Sequence, residues 1–272
     1  MLNTYYVAKL NINGNIFTNS RNLQEIKEVL IPNRIKQFKT QKNDNRFYTY
    51  RKHIYTLANI SELSENILEG DIIKEIKTTI QELRGSKTEK RNVNDSISIH
   101  FFYIISEELI FIEKNQYYRD SILEIFGNLI SLNNIDIGDI KINLLNRISN
   151  IKNFIQKNDI RRITFKYIMP NDPKTDTGVA KILSELNANN ATQTFSNSEG
   201  LSLTDDNNKM KEYTKEILGF AKKGYGTVTA KDLSGNTIKS VETPEEIKLD
   251  DVVTSDIIEE KVNDIREDLD DE

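Results

Sequence analysis

The stretch ISIHFFYIISEELIFIE, residues 97–113, indicates most clearly how the first half of the chain folds. Apolar residues occupy every second position from Ile97 to Tyr103, and the pattern resumes from Leu109 after the polar Ser106-Glu107-Glu108. A period of two is typical of strands with one buried face. The stretch therefore predicts a β-hairpin.

The segments before this hairpin predict further strands and one helix. Alternation from Tyr6 to Ile12, followed by Asn13-Gly14, predicts a first hairpin with a type I′ turn. A helical stripe begins at Ser20 and is expected to stop before Pro32. Residues 46–60 are expected to be extended, residues 70–83 fit either a helix or a strand, and residues 84–95 predict a polar loop.

The segments after the hairpin alternate between helices and strands. An amphipathic helix is predicted from Tyr118 to Leu129. The predicted strands beyond it are 137–145, 161–168, 192–203 and a hairpin over 227–241. The predicted helices are 149–157, one capped by Asp176, and one that begins at Asp205 or Asp206. This order is typical of an α/β or α+β domain.

The expected fold class is therefore α+β with two domains, because 272 residues exceed the usual size of one domain. Residues 1–135 predict a β-rich N-terminal α+β domain with basic loops. Residues 136–243 predict a C-terminal α/β, sandwich-like domain. Residues 244–272 predict an acidic tail with an amphipathic helix.

The tail helix carries one apolar stripe on an acidic background. Its members are spaced at helical intervals: Ile258, Val262, Ile265 and Leu269. Such a stripe must bury against something, either the body of the chain, a second copy in a homodimer or a protein partner. The four residues are therefore candidate partner-binding residues.

The net charge of -5 conceals an uneven distribution along the chain. Residues 244–272 carry 13 acidic and three basic residues, a net of -10. Residues 1–243 carry the remaining 34 basic and 29 acidic residues, a net of +5. A basic body with an acidic segment favours contact with nucleic acid or with a protein partner.

Two basic clusters are the candidate nucleic-acid-binding sites. The first interleaves aromatic residues such as Tyr48 and Tyr50, which suits contact with phosphates and sugars. A solvated strand and loop in a lysine-rich protein explains the same pattern, and both interpretations stay open. The candidates, to which Arg161 and Arg162 are possible additions, are Arg34, Lys36, Lys39, Lys42, Arg46, Arg51, Lys52, Arg84, Lys87, Lys90 and Arg91.

No catalytic residue, metal site or cofactor is expected. The chain has no cysteine and two histidines, and neither His53 nor His100 has a catalytic neighbourhood. The nearest match to a nuclease motif is Asp71 with Glu75 and Lys77, but its spacing is short. The Gly224-Tyr225-Gly226 segment predicts a helix end and a turn rather than a phosphate-binding loop.

The expected location is the cytoplasm. No run of apolar residues is long enough to span a membrane, and the N-terminus lacks a signal-peptide pattern. We therefore expect an unprocessed protein without a membrane partner.

The order of elements resembles the RexA-like phage-exclusion and abortive-infection proteins. The resemblance covers residues 1–245 and rests on IHFFYIISEELIFIEKN, the helix that follows it, and the closing hairpin GYGTVTAKDLSGNTIKS. It implies a two-domain protein that binds DNA in antiviral defence, without an active-site signature.

These observations lead to a non-enzymatic nucleic-acid-binding protein of an anti-phage system, with double-stranded DNA as the expected partner. The acidic helix 256–269 would then cover the basic surface until a trigger releases it. The alternative is a protein-interaction or sensor subunit that docks a phage or partner protein through that helix.

Overall fold

Two antiparallel sheets and seven α-helices form an α+β fold, as the sequence predicts, within the part of the chain that the structure describes. The structure is a computed structural model that describes residues 2–12, 23–39, 47–84, 87–114, 119–171 and 178–270. For residues 77–84, 87–94, 119, 120 and 270 it describes the backbone alone. The predicted turn at Asn13-Gly14 and the predicted cap at Asp176 lie outside these ranges.

The larger sheet has eight strands, in the order β12-β1-β6-β5-β4-β3-β2, and β7 also pairs with β1. Its strands are β1 (Asn3–Ile12), β2 (Tyr48–Tyr50), β3 (His53–Ser64), β4 (Ile67–Arg84), β5 (Lys87–Ile104), β6 (Leu109–Glu113), β7 (Ile140–Leu144) and β12 (Glu246–Leu249). The hairpin predicted from residues 97–113 is confirmed as the β5–β6 pair.

Strand β1 joins distant parts of the chain. It pairs with β6 through Tyr5–Lys9 and, on its opposite side, with β12 through Asn3–Tyr6 and with β7 through Ala8–Ile12. Strand β7 follows the predicted boundary at residue 135, and β12 lies in the predicted tail. Both are therefore integral to the larger sheet.

Helices cover both faces of the central part of the larger sheet. Helices α2 (Ile31–Gln37) and α3 (Arg119–Ser131) cover one face, where Phe101 and Phe126 pack at 4.6 Å between ring centroids. Helix α7 (Ser255–Asp270) covers the other face. One apolar cluster lies on each face of the sheet. This explains the runs of consecutive apolar residues in β5 and β6, because a sheet covered on both sides buries successive side chains.

The smaller sheet has the order β11-β10-β8-β9. Its strands are β8 (Ile160–Ile168), β9 (Asn190–Ser196), β10 (Gly226–Asp232) and β11 (Thr237–Lys239). Its core includes apolar residues of α4 (Ser149–Lys157), α5 (Gly178–Glu185) and α6 (Glu212–Lys222). Helix α6 ends where Gly224 takes a φ of +76°, so the predicted helix end at this glycine is confirmed.

Two sequence predictions need correction. The first helix does not stop before Pro32: a short helix α1 (Leu23–Glu25) leads into a π-helical turn (Ile26–Leu30) and then into α2. Pro32 is the second residue of α2, and Leu30 and Ile31 before it keep helical backbone angles, so the helical stretch continues through the proline. Residues 87–95 of the predicted polar loop 84–95 are also not a loop, because they form the first half of β5.

None of the described helices combines the length and apolar character that crossing a membrane requires.

Candidate nucleic-acid interface

A two-stranded ribbon extends beyond the rest of the larger sheet. Strands β4 and β5 pair from Ile67↔Ile104 to Arg84↔Lys87. Strand β3 accompanies β4 only as far as Glu75, and β6 accompanies β5 only from Phe101 onward. We call residues 76–84 and 87–95 the arm; among the described strands, its two halves pair only with each other. Nine paired positions at about 3.3 Å each give the arm a length of about 30 Å.

The sequence of the arm combines strand-forming residues with many polar ones. Ile76, Thr78, Ile80 and Val93 have the branched side chains that strands favour, and polar residues fill most other positions. The sequence left residues 70–83 open between a helix and a strand, and the structure shows a strand there. The sequence did not indicate the second half of the ribbon, because residues 87–95 show no alternation of apolar and polar types.

The arm is basic mainly near its tip. Residues 76–95 contain five basic and three acidic residues, and four of the basic residues lie between residues 84 and 91. Arg84 and Lys87 form the last described pair of the ribbon. A polyanion that approached the end of the arm would therefore meet a positive charge before it met the body of the protein.

A second basic element is the tight turn between β2 and β3. Tyr50 pairs with His53, so Arg51 and Lys52 are the two central residues of the hairpin turn. Both are exposed and adopt positive φ values of 46° and 70°. This geometry suits Asn-Gly and is uncommon for long side chains. The guanidinium of Arg51 lies 5.2 Å from the centre of the Tyr50 ring.

The strand register places this turn beside the base of the arm. Ile54 of β3 pairs with Glu75, the residue that immediately precedes the arm. Because β3 and β4 are antiparallel, moving backward from Ile54 to Lys52 follows the direction in which the arm leaves the sheet. The structure thus brings Arg51 and Lys52 to the same end of the sheet as the second basic cluster, and we call this the basic end.

Arg34 and Lys36 do not belong to the basic end, which corrects the expectation of one surface for the whole first cluster. Arg34 is 6% exposed, donates a hydrogen bond to the carbonyl of Leu132 at 3.1 Å, and stacks on Phe38. Burial lowers the pKa of Arg34. Lys36 bonds to Glu62 at 2.8 Å, near the far end of β3.

The remaining members of the first cluster give less information. Lys39 follows α2 and is exposed. Lys42 and Arg46 lie outside the described residues. For Arg84, Lys87, Lys90 and Arg91 the backbone register is described and places them in the arm.

The apolar stripe of the tail helix is buried within its own chain. Ile258, Val262 and Ile265 are 0%, 4% and 6% exposed, and Leu269 packs beside them. They cover a sheet face that includes Phe111. Of the three alternatives for this stripe, the structure shows docking on the body, and in this arrangement Ile258, Val262 and Ile265 offer no free surface to a partner.

Ion pairs fasten the last turns of α7 to the body. Arg266 bonds to Glu107 in the β5–β6 turn, and Lys222 of α6 lies 3.7 Å from Asp268. Burial alone would raise the pKa of Glu107, but the hydrogen bond and charge of Arg266 outweigh it and lower this pKa. The acidic end of the helix therefore contacts the end of the sheet opposite the arm.

The residues considered for catalysis are dispersed. His53 is exposed at the start of β3, and His100 lies 3.3 Å from the hydroxyl of Tyr5. Asp71 accepts a hydrogen bond from Asn59 at 2.6 Å, and Glu75 is exposed. Across the described ranges, no three His, Asp or Glu residues are grouped so that they could hold a metal ion.

Comparison with known proteins connects the chain to one family. The family model described as "Domain of unknown function (DUF4747)" matches residues 3–266. The match spans both sheets, including β12 of the acidic segment, and most of α7. No curated protein matches the chain.

Proposed function

We propose that the chain, which belongs to the DUF4747 family, is a non-enzymatic nucleic-acid-binding protein that holds double-stranded DNA at its basic end. The observation that carries the proposal is the arm, a ribbon about 30 Å long with a basic tip. The basic turn at Arg51 and Lys52 flanks its base.

The dimensions of the arm suit a groove of DNA. The major groove of B-form DNA is about 12 Å wide and admits a two-stranded β-ribbon. An arm about 30 Å long would follow about nine base pairs, because each base pair adds about 3.4 Å along the axis. Arg51 and Lys52 would then meet a phosphate backbone at the edge of the groove.

The composition of the basic end supports phosphate contacts more than base reading. Its long, flexible lysine and arginine side chains neutralise phosphates and release counterions, so binding would weaken steeply with salt. Phosphate contacts position a protein on the duplex but carry little sequence information. We therefore expect weak sequence preference.

The test is a fluorescence-anisotropy titration of labelled duplex DNA at several salt concentrations. The arm variant carries Arg84→Gln, Lys87→Gln, Lys90→Gln and Arg91→Gln. The control variant changes four exposed lysines on the helices that pack on the smaller sheet, one of them the C-cap of α6: Lys157→Gln, Lys181→Gln, Lys215→Gln and Lys223→Gln. Both variants have the same net charge.

Each lost phosphate contact flattens the slope of log affinity against log salt by about 0.9. The arm variant should therefore lose up to about 3.6 from this slope, whereas the control should keep the wild-type slope. The proposal fails if the wild-type protein does not bind at low salt, or if the arm and control variants behave alike.

The last turns of α7 contact the end of the sheet opposite the arm, so the helix does not cover the basic end as the sequence led us to expect. A regulatory role of its charge would act over a distance and is a separate part of the proposal. Glu259, Glu260 and Glu267 are exposed on α7 and lie off its buried stripe. Changing all three to glutamine keeps the packing and removes charge. Tighter DNA binding, beyond the effect of matched Glu→Gln changes at Glu185, Glu199 and Glu212, would support autoinhibition, and unchanged affinity would exclude it.

The defence role rests on the resemblance to RexA-like proteins alone. Partner docking through residues 256–269, the alternative function, would require α7 to leave the sheet and expose the residues that it covers. This cost makes the alternative less favourable than binding through the arm, which requires no helix to detach.

A further inference from the structure

The smaller sheet has one open face. Helices α4, α5 and α6 contribute to the core on the other face, where Ile163, Phe165 and Val228 are buried. The strand register identifies the residues of the open face, since directly opposed residues share a side of the sheet. These residues are Arg162, Thr164, Lys166, Ile168, Asn190, Thr192, Thr194, Ser196, Thr227, Thr229, Lys231, Thr237 and Lys239.

The open face is exposed along β9 and at the cations of β8, whereas Thr227, Thr229 and Lys231 of β10 are half-buried. In β8, Arg162 and Lys166 are exposed, whereas the intervening Ile163 and Phe165 are 0% and 1% exposed. Thr192 and Thr194 of β9 are exposed as well. The hydroxyls of Thr164 and Thr194 lie 3.1 Å apart and can share a hydrogen bond, which leaves further hydrogen-bonding capacity toward solvent.

The side chains of this face are either positively charged or uncharged. It carries four basic residues and no carboxylate, although acidic residues outnumber basic ones by 42 to 37 in the whole chain. Lys239 lies 3.8 Å from Glu242, at the margin of the face. Arg162, Lys166 and Lys231 make no ion pair with any residue that the structure describes.

The cations are spaced along two neighbouring strands. Lys231 stands directly opposite Arg162, so the two Cα atoms are about 5 Å apart. Lys166 lies four residues along β8 from Arg162, which corresponds to about 13 Å. Threonines occupy the positions between them, and each hydroxyl can donate one hydrogen bond.

We infer that this open face is a second contact surface for nucleic acid, and that it binds the sugar-phosphate backbone of a duplex. Cations separated by hydroxyl donors match phosphate oxygens, which accept hydrogen bonds from lysine, arginine and threonine alike. The face carries no aromatic residue, so it lacks the stacking platform that unpaired bases need. This inference rests on the proposed function, because it takes duplex DNA as the ligand of the chain.

The experiment compares two variants of the full chain with equal net charge. The face variant carries Arg162→Gln, Lys166→Gln and Lys231→Gln. The control variant carries Lys157→Gln, Lys181→Gln and Lys223→Gln, all exposed residues outside the open face. Binding of labelled duplex and single-stranded DNA is measured by anisotropy over a range of salt concentrations, and thermal unfolding checks that both variants fold.

The face variant should flatten the salt slope for duplex DNA by about 2.7 and weaken binding at least about tenfold at low salt. The control should keep the wild-type slope. Equal slopes for the face and control variants, with intact binding by the wild type, would overturn this inference and leave the proposed function standing. Absence of wild-type binding would overturn both. An effect confined to single-stranded DNA would overturn the assignment to a duplex.

Discussion

Replacing Ile258 by alanine tests whether α7 is part of the folded core. Ile258 is 0% exposed and lies against the face of the larger sheet that includes Val7 and Phe111. The substitution removes three carbon atoms, which corresponds to about 2.4 kcal/mol of transfer free energy at about 0.8 kcal/mol each. The cavity that remains adds to this loss, so we expect a total of about 3–4 kcal/mol.

The control makes the same chemical change at an exposed site. Ile135 is 84% exposed, so Ile135→Ala should change the free energy of unfolding by less than about 0.5 kcal/mol. Both variants are unfolded in urea and followed by circular dichroism. The two variants are compared by the urea concentration at the midpoint of unfolding. The comparison requires that the slope of the free energy of unfolding against urea is the same for both.

The result that would refute the reasoning is equal stability of the two variants. It would mean that the tail helix does not rest on the sheet in solution, and the stripe would then be free for a partner. A smaller slope of the free energy of unfolding against urea for Ile258→Ala would indicate instead that α7 detaches before the rest of the fold unfolds.

Three further predictions concern other parts of the fold. Replacing Arg51-Lys52 by Asn-Gly should stabilise the protein by about 1 kcal/mol in urea unfolding, because Asn-Gly suits the positive φ values of the turn; a loss of stability would contradict this turn geometry. Glu108→Gln should cost about 2–3 kcal/mol in the same assay, because the buried carboxylate pairs with two lysines at 3.3 Å and 2.6 Å; no loss would show that these pairs do not form. Burial raises the pKa of Tyr5 and Tyr167 from 10.0 to about 12. Since the folded state keeps these protons longer than the unfolded state, stability should fall as the pH rises from about 10 toward 12. Tyr5→Phe should reduce the fall, and a flat profile would contradict the burial of both hydroxyls.

The sequence was most informative where one face of an element is buried. The β5–β6 hairpin, α3 and α7 all show clear periodicity, and the structure confirms each of them. The first half of β5 was missed because its polar residues pair with β4 along a ribbon that lies beyond the neighbouring strands. The pairing of this segment with β4 is a contact between different parts of the chain, and a local sequence pattern contains no information about such a contact.

The candidate site shows the same limit. Both basic clusters are visible as runs of charge, but the register alone shows that Arg51 shares an end of the sheet with the arm. Lys36 belongs to the same run, yet its partner Glu62 lies nine residues along β3 from His53, or about 30 Å away. Charged residues that are neighbours in the sequence therefore form one surface only if the strands that carry them lie side by side.

The acidic segment illustrates why composition is a poor guide to domain limits. Its charge separates residues 244–272 from the body, yet Glu246–Leu249 form a strand beside β1. Helix α7 then covers aromatic residues of β5 and β6 that water would otherwise reach. Deleting the segment would therefore remove a strand and uncover a core cluster at once. A change in DNA binding after such a truncation would report on folding as much as on charge. For this reason the regulatory role of the tail can be tested only by substitutions that leave Ile258, Val262 and Ile265 in place.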